Sequence, residues 1–93
     1  MKIPAFLQTT YLMLTQAFPD GVSEEYYWII LYLLYNYMAD ENLTLVMSFF
    51  SGKPLSIVAN DVYGVSQMKF DSKLLEEVKS RLVANGFDEW KNN

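Results

Sequence analysis

The side chains of this chain that exchange protons are carboxylates, amines, phenols and hydroxyls, for it has no His and no Cys. Imidazole bases, thiolate nucleophiles, Cys/His metal sites and disulfides are therefore outside its chemistry. Acidic pairs such as Glu24-Glu25, Asp40-Glu41 and Glu76-Glu77 diverge by about 100° on a helix, so they do not converge as an acid–base dyad must. Helix caps and solvated faces account for them better. Carboxylate ligation of a hard cation calls for a loop such as Asp-x-Asp-x-Asp-Gly, and no such loop occurs. The seven Ser hydroxyls lack a His to activate them. The four Gly are isolated and form no phosphate-cradling loop. No catalytic, cofactor-binding or metal-binding residue is expected, and the reading is a protein that is not an enzyme.

One arrangement suits binding. Trp28, Tyr32 and Tyr35 recur at i, i+4 and i+7, a helical stripe shared with Glu24, Glu25 and Asn36. Amphipathic rings with few rotatable bonds are enriched among interface anchors, so these three are the candidate protein interface. The rival reading is that their helix lies centrally and is covered on both sides, because a helix apolar all round is usually a buried one. Asn60, Asp61 and Tyr63 read as polar surface and a helix-end turn, with a pocket rim as the alternative.

Positioning these groups falls to segments divided by Pro4, Pro19-Asp20-Gly21, Gly52-Lys53-Pro54, Gly64 and Gly86. From Pro4 to Phe18 the residues Phe6, Leu7, Leu14 and Phe18 keep helical spacing, and Pro4 is tolerated in a first turn that needs no amide donor. Pro19-Asp20-Gly21 makes a turn, after which Ser23 caps a second helix with Glu24 and Glu25 in its first turn. Tyr27, Ile30, Leu31, Leu34 and Met38 share one side of that helix and are predicted to face the core. A third helix is predicted from an Asp40 cap to Gly52, with Leu43, Val46, Met47 and Phe50 inward. Residues 55–63 are rich in β-branched side chains, which makes a strand the rival to a short helix. The helix is preferred because no second strand offers a partner. The last helix has Asp71 as cap, Phe70 and Leu75 as a hydrophobic staple, and Leu74, Leu75, Val78 and Leu82 inward. Gly86 suits a left-handed stop, with Phe87 against Leu82. Glu77 and Arg81 are expected to form an exposed i, i+4 pair. Trp90 either folds back onto the core or projects into solvent.

The 93 residues are 52% hydrophobic, 16% aromatic and 19% charged, enough for one core. The expected fold is all-α, a compact bundle of about five short helices in a single domain over residues 1–93. The formal net charge is -4, and the basic residues Lys2, Lys53, Lys69, Lys73, Lys79, Arg81 and Lys91 are dispersed. Nucleic acid, which demands clustered Lys and Arg, is not an expected partner. The longest apolar run, Tyr26 to Met38, falls short of the roughly 20 residues that span a bilayer. With no apolar signal segment at the N-terminus, a cytoplasmic location is expected. Asn42-Leu43-Thr44 matches a glycosylation sequon and is read as a chance match.

Phe18-Pro19-Asp20-Gly21-Val22, followed by Tyr26-Tyr27 and the run Ile30-Leu31-Tyr32-Leu33-Leu34, resembles a family of small bacterial proteins, domain of unknown function 3349. Asp40-Glu41 before Leu43, and Arg81-Leu82 before Gly86-Phe87, extend the resemblance over nearly the whole chain. It implies a five-helix bundle and no activity, because the family has none assigned. The chain departs from family usage in having aromatics and Asn on the second helix where Pro and Arg are common. It also runs Gly86-Phe87-Asp88-Glu89-Trp90 in place of Gly-Trp-Pro-Leu. A surface role resting on basic residues of that helix does not extend to this chain.

The function expected is a non-enzymatic module that binds another protein, or a second copy of itself, through Trp28, Tyr32 and Tyr35. The alternative is an acidic immunity or inhibitor-type protein whose Glu24, Glu25, Asp40, Glu41, Glu76 and Glu77 mask a basic partner surface.

Overall fold

The helix ends are set by local chemistry. The Ser23 hydroxyl accepts from the Tyr26 amide at 3.2 Å, and the Asp71 carboxylate accepts from the Leu74 amide at 3.0 Å. Each supplies a partner to an amide donor that the first turn leaves over. Gly52 and Gly86 take φ of +79° and +99°, left-handed conformations that disfavour residues with a Cβ. In the computed structural model, which describes residues 2–92, a 3₁₀ turn at Ala5–Leu7 leads into α1 (Gln8–Ala17). Then come α2 (Glu24–Leu34), α3 (Asp40–Ser51), α4 (Leu55–Gly64), a 3₁₀ turn at Val65–Gln67, α5 (Ser72–Ala84) and α6 (Phe87–Lys91). No strand occurs among the described residues, and the chain is the all-α bundle that its periodicity predicts. The β-branched segment is helical, as α4.

The core is centred on α2, which buries Tyr27, Ile29, Ile30, Leu31 and Leu34. Met13, Leu14 and Ala17 of α1, Leu43, Val46 and Met47 of α3, Val58 and Val62 of α4, and Val78 and Leu82 of α5 close around it. The three-residue link 52–54 folds α3 and α4 into a helical hairpin, the most extensively packed pair in the bundle. Its turn is braced by the Ser48 hydroxyl, which donates to the Lys53 carbonyl at 2.7 Å.

Several local expectations are corrected. Of the set Phe6, Leu7, Leu14 and Phe18, only Phe6 is exposed, because it lies in the tighter 3₁₀ turn, whose angular phase differs from that of the α-helix. The second helix stops at Leu34, where the Tyr37 amide bonds Leu34 in a closing turn, and Met38 is left half-buried beyond it. Ala39, with no side-chain bond, holds the cap position of α3; Asp40 is its first residue and meets the helix dipole from there. Arg81 makes no ion pair with Glu77 among the described residues. Its guanidinium instead donates to the Ala17 carbonyl at 2.7 Å and lies 4.4 Å over the Phe18 ring. It thereby satisfies a terminal carbonyl of α1 from the side of α5. Glu77 lies beside the Tyr26 phenol and raises its pKa. The chain also continues past Gly86 into α6, whose Trp90 folds back: its indole N–H donates to the Thr10 hydroxyl at 2.8 Å, and its ring stacks on Phe87 at 5.8 Å.

Candidate functional site

The inner face of α4 holds the most organised polar chemistry. The Tyr27 hydroxyl donates to Asp61 Oδ2 at 2.7 Å, linking α2 to α4 inside the core. Lys53, on the hairpin link, places Nζ 3.8 Å from Asp61 Oδ2, 2.6 Å from Glu24 Oε1 and 3.8 Å from the centre of the Tyr27 ring. Burial, then the hydrogen bond to Asp61 and the nearby negative charges, push the Tyr27 phenol well above its ordinary pKa. Its proton stays on the phenol as a donor. The hydrogen bond from Lys53 holds the Glu24 carboxyl below its usual range. Among the described residues no buried side-chain polar atom lacks a partner. Tyr27 and Asp61 form the buried end of the cluster, while Lys53 and the largely exposed Glu24 carry it to the surface, where they line a cavity of about 280 Å³ with Ser23 and Phe50. Asp61, expected as polar surface or a pocket rim, is buried, and no local signal in Asn60-Asp61 distinguishes these outcomes.

Trp28, Tyr32 and Tyr35 do come together along one side of α2, and all three are half-buried. The Tyr32 ring meets Phe70 edge-on at 5.2 Å and Tyr35 at 5.9 Å. Trp28 packs edge-on against Tyr27 at 5.8 Å and, with Met68 and Phe70, lines a shallow depression. The segment leading into α5 therefore covers part of the stripe. It is the margin of the core, neither fully enclosed nor bare.

The outer face of α4 is bare. Leu55, Ala59 and Tyr63 recur at i, i+4 and i+8, and with Val62, Thr44 and Leu45 they line an apolar groove of about 550 Å³ between α3 and α4. Tyr63 is 88% exposed and Leu55 40% exposed. Asp40 and Glu41 also line the groove, and no basic residue does. Of the two expectations for Tyr63, a helix-end turn or a pocket rim, the structure favours the rim, though nothing in the sequence reading delimits the groove itself. The signal available was the spacing of Leu55, Ala59 and Tyr63, which differs from that of the buried Val58, Val62 and Val65.

The remaining candidates do not assemble. Glu24 is bound to Lys53 while Glu25 points to solvent, and Glu76 and Glu77 are exposed on α5. Among the described residues no group of three acidic side chains gathers as a metal site would require. Contrary to the expectation that no Lys stands three residues after a Ser, Ser66 and Lys69 have the Ser-x-x-Lys spacing of some hydrolases. Both are exposed, and the chain between them is extended at Met68 with ψ of 148°, so no helix face presents them together. No described helix is long and apolar enough to cross a membrane.

No family model, curated protein or solved structure matches this chain. What fold and geometry define is a small all-α bundle with a polar cluster tied to one face of a helix and an open apolar groove on the other.

Proposed function

We propose that this protein is a non-enzymatic binding module that takes a protein partner in the groove between α3 and α4. The observation that supports this reading is Tyr63, almost fully exposed at the lip of an apolar groove with Leu55 and Leu45. An aromatic side chain left in water beside other apolar groups is the composition of an interface hot spot before its partner covers it. The Tyr27–Asp61 hydrogen bond and the Lys53–Glu24 ion pair tie α2 to α4 and to the hairpin link, and this structural use of the cluster favours binding over catalysis. The resemblance to domain of unknown function 3349 adds no activity to this reading.

A second reading keeps Trp28, Tyr32 and Tyr35 as the contact surface. It is favoured by their partial exposure around the depression that Met68 and Phe70 share with Trp28. Affinity capture with three proteins separates the two: wild type, Leu55→Ser/Tyr63→Ala, and Trp28→Ala/Tyr32→Ala, each checked for helix content. The groove reading expects a partner held by wild type to be lost with the first variant and retained by every folded sample of the second. The reverse pattern transfers the function to the stripe.

A further inference from the structure

We infer that the occupant of the α3–α4 groove is a short amphipathic helix carrying basic residues beside its apolar face, supplied by a different protein. This rests on the groove reading above and names its partner. The shape argument comes first. α4 has 10 residues, so it offers a trough roughly 15 Å long. That length accommodates about three turns of a helix whose anchors recur at i, i+3/i+4 and i+7. Leu45, Leu55, Val62 and Tyr63 line it, and the single methyl of Ala59 between them lets a partner backbone approach closely.

Charge decides what flanks the partner's apolar face. Asp40 and Glu41 line the groove, and neither takes part in an ion pair among the described residues. The amino end of α3 lies at the same place and contributes only about half a positive charge, which leaves that end of the groove net negative. A Lys or Arg on the partner meets these carboxylates at the rim, where complementary charge raises the association rate and fixes orientation. A second copy of this chain is the poorer occupant: each copy has a net charge of -4, and the dispersed basic residues of α5 alternate with Glu76 and Glu77.

The test titrates isotope-labelled protein with three designed peptides of about 14 residues, roughly 20 Å as helix. All share one Leu face and differ only in flanking Lys, Gln or Glu. The Lys peptide is expected to move the amide resonances of Thr44, Leu45, Ala59, Val62 and Tyr63 in a saturable way. The Gln peptide should bind about tenfold more weakly, and the Glu peptide more weakly still. Asp40→Asn/Glu41→Gln should erase that ranking, Tyr63→Ala should abolish binding of all three, and salt should weaken the Lys peptide most. Equal binding of the three peptides in the groove overturns the basic partner and leaves the docking groove standing. Resonance changes scattered outside the groove, or unaffected by Tyr63→Ala, overturn both. If light scattering shows a dimer and the same groove resonances change on dilution, a second copy covers the groove and the foreign helix is overturned.

Discussion

Asp61 and Tyr63 lie two residues apart on α4, yet the aspartate residue retains 9% of its surface and the tyrosine 88%. The inner face of the helix buries an ionisable group, and the outer face leaves an aromatic one in water, so each inverts the ordinary distribution. The difference lies in their partners. Asp61 receives the Tyr27 hydroxyl and lies near the Lys53 ammonium, which offset the desolvation of a buried charge. Tyr63 has no neighbour that covers it. Satisfied inversion is architecture, and unsatisfied inversion points outside the molecule.

The comparison breaks first at Asp61. Replacing it with Ala strands the Tyr27 hydroxyl in the core and removes a counter-charge from Lys53, and the expected loss is about 3 kcal/mol. Urea unfolding monitored by circular dichroism measures it; a loss below about 1 kcal/mol would show that the cluster is dispensable. Trp28→Ala comes next, at about 2 kcal/mol, because a half-buried ring loses part of the contact area of a fully buried one. An unchanged melting temperature for that variant would return the α2 stripe to the surface.

Tyr27→Phe should cost about 1–2 kcal/mol by removing the donor to a buried carboxylate, and it should also change the alkaline limb of stability. Above about pH 10 the unfolded chain releases this phenolic proton while the folded protein retains it. The folded state then binds more protons, so stability falls as pH rises. The Phe variant should show a shallower decline in denaturation midpoints measured between pH 9 and 11. Least affected should be Tyr63→Ala, within about 0.5 kcal/mol of wild type. A large destabilisation in thermal melts would place Tyr63 in the architecture and remove it from the binding surface.

How much of this was legible in the sequence follows the range of the forces involved. Ser23 and Asp71 cap helices through bonds to amides three residues on, so their roles could be read from adjacent letters. The same holds for the stops at Gly52 and Gly86 and for the core face of Tyr27, Ile30, Leu31 and Leu34. The apolar groove was half-legible, since the spacing of Leu55, Ala59 and Tyr63 is local, but whether another element covers that face is not. Glu77 and Arg81 had the spacing of an ion pair, yet the Ala17 carbonyl and the Phe18 ring offered Arg81 a better-shielded site.

Composition and periodicity by themselves determined that this chain is helical, where most of its helices begin and end, and that it lacks imidazole and thiol chemistry, because those properties depend on residue type and on neighbours within a turn. Tertiary structure alone decided that Asp61 is buried against Tyr27, 34 residues away, and that Trp90 returns to Thr10, 80 residues away. It also decided that the outer face of α4 stays open. Contacts between distant segments fix burial, and burial determines whether a carboxylate lies in the core or a tyrosine is left in water.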